Sequence, residues 1–282
     1  MQHLEFFHTN HFENNYHRTP PPPALRQFID FFWETKFDTL WERYPRGFSD
    51  AQFANIGYTY IINLGTPFVM QVDDKKFTMN TDGFLPRYNP IECFHKPGNH
   101  LFGIKFRISP VLFIKDINFS EYKEYIFPLS YLLDPPVIKA VKKARTFEGR
   151  RQVLSVYFSD LLAKYEGSLQ PVTIVSRILD QSFRYNDFGI SLEDQAAKYK
   201  ISLRTLQRYF EKCTGISSKQ ALQVMRIRKA VAHMTSSPSD FHYSDYGYFD
   251  YSHFFKHLKQ FMQRNTLKNM QPHLKLLENM HK

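Results

Sequence analysis

Four positions in the last third of the chain recur at a fixed offset of 48 residues: Ser202, Leu206, Arg208 and Phe210 fall on Asp250, Phe254, Lys256 and Leu258. Both sets follow the same physical pattern. A small oxygen-bearing side chain suited to capping a helix is followed four and eight positions later by apolar side chains, with a cation between them. Each copy therefore predicts a short capped helix with one buried stripe and one outward stripe. Such a helix cannot bury its apolar stripe alone, so each copy needs partner helices, and the repeat constrains this region to a small all-helical unit built twice.

The first copy lies in "ISLEDQAAKYKISLRTLQRYFEKCTG", Ile190 to Gly215. Ser191, three positions before Asp194, predicts a capped helix start, and the small pair Ala196 and Ala197 lets a second helix cross closely. That first helix ends near Tyr199, "KYKI" turns the chain, and Ser202 caps a second helix with Leu206, Tyr209 and Phe210 facing inward. This is a helix-turn-helix pattern, in which the second helix lies in a DNA major groove. Its outward residues are Arg204, Gln207 and Arg208, at i, i+3 and i+4. Arginine pairs bidentately with guanine O6 and N7, and glutamine with adenine N6 and N7. Any one arginine would suggest only a solvated face, whereas three such residues on one stripe beside a capped turn select DNA.

In the second copy, "GYFDYSHFFKHLKQF", Gly247 takes the turn, Asp250 the cap, and Phe254 and Leu258 the core face. Tyr251, Ser252, Phe255 and Lys256 are then expected to point outward. Between the copies, "SSKQALQVMRIRKAVAHM" reads as a connecting helix with Leu222, Met225, Ile227 and Ala230 available for packing and Arg226 and Arg228 near the surface. Such a spacer lets one polypeptide occupy two successive major grooves, about 34 Å apart.

The charge distribution agrees with a polyanionic partner. The formal net charge is +10, and residues 180–282 carry sixteen Lys and Arg against nine Asp and Glu, leaving only a small excess for the rest. A basic excess concentrated in the helical third is the expected electrostatic footprint of DNA binding. No apolar run approaches the roughly 18 residues of a membrane span, and the opening "MQHLEFFHTNHFENNY" lacks a signal-peptide pattern. The expected location is the bacterial cytoplasm, at the nucleoid, with no membrane partner. Cys93 and Cys213 show no metal-ligand spacing and read as buried or idle thiols.

Upstream, residues 1–23 read as a flexible tail ending in "TPPPP", on which His3, His8, His11 and His17 make no tight metal site. Residues 24–168 read as a β-rich regulatory domain with trailing helices. "YTYIINLG", "FVMQVDDKKFTMN" and "HLFGIKFRI" supply strands, with a hairpin turn at "DDKK", while "VIKAVKKARTF" and "RRQVLSVYFSDLLAKY" supply helices. "EGSLQP" marks the junction to the helical domain, residues 171–282, with units at about 190–214 and 237–261.

The run from Gly215, "GISSKQALQVMRIRKA", together with "GYFDYSHFFKHLKQF", resembles the C-terminal DNA-binding domain of the AraC/XylS family of bacterial transcription regulators over about 100 residues. "NLGTPF" and "HLFGIKFRISP" are similar to the small β-rich domain that accompanies some members. The resemblance implies an α+β protein: a β-rich N-terminal domain of sensing or dimerisation type, then an all-α domain with two helix-turn-helix units joined by a helix. It implies promoter or operator DNA as partner, with room for a small-molecule effector, a homodimer and contact with RNA polymerase. The chain departs from the family pattern at Ser218, where Pro is usual, at Tyr243, where a small Ala is usual, and near Gln263 and Thr266, where Gly and Pro are usual. These departures bear on the first helix of the second unit, although Ser237, Pro238 and Asp240 still mark a helix start. Tyr251 and Phe255 offer thymine-methyl contact or stacking rather than a hydrogen-bond code, so the first unit is expected to dominate specificity and the second to add affinity.

Two other classes compete. A cupin-like metal or small-molecule protein would use Cys93, His95 and His100, but these lie within one short segment broken by Pro97 and Gly98, where structural roles are favoured. An interaction protein with degenerate units is opposed by Arg204, Gln207 and Arg208. No nucleophile elbow, P-loop or Rossmann glycine pattern is present, so no catalytic residue, cofactor or metal is assigned. Trp33, Trp41, Tyr58 and Tyr60 are candidates for a ligand pocket, with core packing the default for such rings.

Overall fold

The computed structural model describes residues 1–73, 75–113 and 126–262. The β-branched and aromatic "YTYIIN" forms β5 (Tyr58–Asn63), buried along its whole length. A strand buried on both faces must be covered twice, and its period-two alternation shows by what. Tyr58, Tyr60 and Ile62 enter a core shared with helices, whereas Ile61 enters a core between two sheets.

β5 belongs to a six-stranded sheet with β11 (Phe127–Pro128), β8 (Gly83–Pro86), β10 (His100–Phe106), β3 (Ile29–Lys36) and β2 (Tyr16–Thr19), ordered β11-β8-β5-β10-β3-β2. The second sheet runs β1 (Gln2–Leu4), β4 (Ser49–Gln52), β9 (Ile91–Phe94), β6 (Phe68–Val72) and β7 (Lys75–Met79), with the short α2 (Leu40–Arg43) between β3 and β4. The β6–β7 pair is the expected hairpin, turned at Asp73 with φ of 50°. Phe68, Met70, Ile91 and Cys93 from this sheet meet Trp33, Leu85 and Leu101 from the other between the two layers. On the far side of the six-stranded sheet, α3 (Pro135–Lys143) and α4 (Phe147–Ala163) cover the rings of Tyr60, Phe102 and Phe106. Phe158 of α4 lies 5.3 Å from Phe106, ring to ring.

Residues 1–23 differ from the flexible tail that their composition suggests. β1 pairs in parallel with β4, α1 (Thr9–Asn15) follows, and β2 pairs with β3. Leu4, Phe12 and Tyr16 are buried and supply the apolar anchors that hold the segment down. The prolines act after this docking, where Pro23 opens a 3₁₀ turn, Pro23–Leu25, ahead of β3, so they do not free the segment that precedes them.

The C-terminal region is all helical: α5 (Gln170–Tyr185), α6 (Leu192–Lys198), α7 (Leu203–Thr214), α8 (Ser218–Ser236) and α9 (Tyr251–Gln260). One continuous core runs from Leu25 to Val224 and so joins it to the β-rich region. The joint is tight at Gly215, which ends α7 in a left-handed conformation, φ 77°. A Cβ there would lie 2.1 Å from the Tyr58 hydroxyl, so only glycine fits both the backbone and the gap. The Ser109 N–H donates to the Cys213 carbonyl at 2.7 Å across the same joint. No helix among the described residues is long and apolar enough to cross a membrane. The positions near Gln263 and Thr266, and the rest of the chain to residue 282, lie outside the described residues.

Candidate nucleic-acid interface

Each helix start in the first unit is held by the side chain that its sequence offers. Ser191 accepts a hydrogen bond from the Asp194 N–H at 3.1 Å, and Ser202 accepts one from the Thr205 N–H at 3.1 Å. Lys200 turns the chain in a left-handed conformation between α6 and α7. Of the alanine pair, Ala196 is buried at the crossing and Ala197 is exposed. Leu206, Phe210 and Cys213 of α7 are fully buried. The half-buried Tyr209 extends its hydroxyl to Gln170 of α5 at 3.2 Å. With that stripe fixed, geometry places Ser202, Arg204, Gln207 and Arg208 outside, and all four are exposed. Two guanidinium forks and one amide thus stand on the outer face of a rigidly seated helix.

The second unit starts differently. Pro238–Asp240 and Tyr243–Tyr246 form two short 3₁₀ turns in place of one α-helix. Phe241 and Tyr246 are both buried, with their rings stacked at 5.9 Å. Residues five apart on an α-helix sit about 140° apart, so a regular helix cannot bury both rings on one side. Gly247 then closes the turn at φ 70°, and Asp250 caps α9 by accepting from the His253 N–H at 2.6 Å.

Of the four outward residues expected on α9, Ser252 and Lys256 are exposed, whereas Tyr251 and Phe255 are half-buried against the second core. Their rings stack on each other at 5.8 Å, and the Lys259 ammonium lies 4.5 Å from the Phe255 centroid. Phe249, 90% exposed just before the helix, is a surface aromatic that the repeat does not point to, because its copy-one counterpart, Ile201, is half-buried. His257 is buried beside Tyr248, whose hydroxyl is 2.7 Å from its Nδ1; burial pushes its pKa down to about 4.

The connecting helix corrects one expectation. Arg226 and Arg228 of α8 are not simple surface groups. Arg226 lies over the Tyr248 ring at 3.7 Å, and Arg228 pairs with Glu5 at 2.8 Å while donating to the Ala54 carbonyl at 2.9 Å. Burial would raise the Glu5 pKa, but the Arg228 guanidinium outweighs it and holds the carboxyl below its usual value. Arg228 is therefore a tie between α8 and the N-terminal region.

Between the sheets lies a cavity of about 140 Å³, lined by Trp33, Ile61, Met70, Arg87, Lys105 and Arg228 among others. Burial lowers Lys105 to about 8 and Arg87 to about 10. The Lys105 ammonium donates to the Ile56 and Phe106 carbonyls at 2.6 and 2.7 Å and stands 3.7 Å from Asp30. Trp33 lines this cavity, whereas Tyr58 and Tyr60 pack toward the helices. Cys93, His95 and His100 do not converge: His100 bonds Glu34 at 2.7 Å, burial raises the Cys93 thiol, and His95 faces Asp50.

No family model matches the chain, and no curated protein matches it. Among solved structures it is similar to ToxT from Vibrio cholerae at 13% identity, over 88% of this chain and 93% of that one, with a TM-score of 0.41. A ToxT structure described as bound to an unsaturated fatty acid matches at 13% identity over 76% and 87%, TM-score 0.40. The AraC-like transcriptional activator CuxR matches at 10% identity over 79% and 89%, TM-score 0.27. These overlaps are long but loose, and the functional reading rests on the helices themselves.

Proposed function

We propose that this chain is a sequence-specific DNA-binding transcriptional regulator of AraC type, acting in the cytoplasm on promoter DNA. α7 enters one major groove, where Arg204, Gln207 and Arg208 meet base edges and Ser202 meets the backbone at the helix start. α9 enters the next groove, with Ser252 and Lys256 toward phosphates and the rims of Tyr251 and Phe255 in apolar contact. The 19 residues of α8 make a spacer about 28 Å long at 1.5 Å per residue, the scale needed to serve two neighbouring grooves. One observation carries the reading: Arg204, Gln207 and Arg208 are exposed together on the face of α7 opposite its fully buried stripe.

The cavity supports a small-molecule effector: it lies between the sheets, with the apolar Trp33, Ile61 and Met70 and the polar Arg87, Lys105 and Glu5 in its wall. Homodimerisation and contact with RNA polymerase complete the family-like reading. Selecting bound fragments from a genomic library, then titrating one of them against random DNA at several salt concentrations, tests the DNA assignment. A preferred fragment whose affinity falls steeply with salt is the expected result. A folded chain with no salt-sensitive DNA affinity would instead favour an interaction protein with degenerate units.

A further inference from the structure

The segment expected to be a tail places two of its histidines against a buried carboxylate. Asp50, fully buried on β4, is the register partner of His3 on β1. Its Oδ1 lies 3.2 Å from His3 Nδ1 and 2.9 Å from His11 Nε2 of α1, and these three donor atoms lie within 4.8 Å of one another. Its Oδ2 is occupied differently: the Tyr16 hydroxyl donates to it at 2.6 Å, and His95 Nε2 stands 3.3 Å away. The far nitrogen of His95, Nδ1, lies 2.6 Å from Asn99 Oδ1, and the Asn99 amide N–H donates to the Thr66 carbonyl at 3.2 Å. One carboxylate oxygen is thus held by the Tyr16 hydroxyl while the other faces two imidazoles.

We propose that His3 Nδ1, His11 Nε2 and Asp50 Oδ1 form a binding site for a divalent transition-metal ion of the zinc class. Nitrogen and oxygen ligands at about 2.0–2.2 Å around a tetrahedral ion lie roughly 3.3 Å apart, close to the donor separations at Asp50. Two imidazoles and one carboxylate suit zinc, cobalt or nickel better than calcium or magnesium. The Tyr16 hydroxyl supplies the outer contact that orients the ligating carboxylate. His11 Nε2 is buried yet makes no well-aligned hydrogen bond, so it holds a donor position toward Asp50 that an ion can use. A surface cleft of about 620 Å³, lined by His3, His11, Asn15 and Tyr44, gives an entry path. The His3 and His11 rings are stacked at 3.6 Å, and seating an ion in both ring planes requires them to swing apart.

The test uses tag-free full-length protein, dialysed against chelator and titrated with zinc or cobalt alone. One equivalent of zinc per chain and a visible cobalt spectrum of low-coordinate type are expected. His3→Gln and His11→Gln, shown folded by circular dichroism, should each weaken binding by about 10- to 100-fold or more, the loss already typical of disturbing a ligand's support. His17→Gln, at an exposed position on β2, should bind like the parent. If the ligand variants do not fold, the histidine ring resonances of the parent decide the matter, because those of His3 and His11 must move on zinc addition. A parent that takes up no stoichiometric metal, folded variants that bind as tightly as the parent, or unmoved His3 and His11 resonances would each overturn the site.

Discussion

The two copies of the repeat share an offset but not a surface. At the offset of 48, cap and core carry over: Ser202 and Asp250 both cap, and Leu206, Phe210, Phe254 and Leu258 are all fully buried. The outer stripe does not, since Arg204, Gln207 and Arg208 become Ser252, Phe255 and Lys256. Two guanidinium forks and an amide are replaced by one hydroxyl, one half-buried ring and one point charge. The difference teaches that the buried and exposed faces of a short helix answer separate demands. The buried stripe keeps the second unit docked, while the exposed stripe sets what it can distinguish.

The largest expected effect comes from breaking the shared part. Phe254→Ala removes a fully buried ring and should cost about 3–5 kcal/mol locally. Hydrogen exchange should then rise around α9 and the 3₁₀ turns, since Phe254 belongs to a core separate from the main one. Phe210→Ala should loosen more of the molecule, because Phe210 lies in the core that also holds Tyr58 and Val175. Equal and local exchange patterns in both variants would contradict this division of cores.

Next in size is the outer face of the first unit, proposed above to meet base edges. Arg208→Ala leaves the buried stripe untouched and should cost about 1–3 kcal/mol in operator affinity while relaxing preference at one base pair. Binding to a panel of single-base operator variants measures both. A folded variant with parental affinity and selectivity would remove Arg208 from the interface.

A smaller effect separates the units by pH. His257 takes the place that Tyr209 has in the first copy, and its folded pKa is about 4 against a usual 6.5. The unfolded state therefore binds the proton more readily, so this contribution is intact above about pH 6.5 and is lost as pH falls toward 4. Thermal melts of His257→Phe should show a shallower loss than the parent across that window. Identical slopes would mean that His257 is not the sensitive group.

Much of the helical region was legible because its signals are local. Caps at Ser191, Ser202 and Asp250 and apolar spacing within one helix need no knowledge of distant chain. The two 3₁₀ turns were not legible, because Phe241 and Tyr246 are buried together by rings of Tyr248 and Phe254 that sequence spacing does not connect. The histidine cluster was hidden for the same reason, since His3 and His11 meet Asp50 only through parallel pairing of β1 with β4. Arg228 likewise looked like a surface cation until Glu5, 223 positions away, closed on it.

The finest distinction concerns Lys256. It is exposed on α9 and lacks the planar fork that makes arginine selective for guanine, so its attraction to DNA should act mainly on phosphate. Phosphate contacts carry no direct sequence information, and each released counterion changes the salt dependence by about one unit of slope. Lys256→Ala should therefore weaken operator and random DNA by similar factors and flatten the salt slope by about one unit. Gln207→Ala, three positions after Arg204 on the first unit's outer stripe, should harm the operator selectively and leave the slope nearly unchanged. Titrations of both variants at several salt concentrations set the two helices against each other. A Lys256→Ala loss confined to the operator at an unchanged slope would show that α9 reads bases, and would make the two units equal partners in recognition.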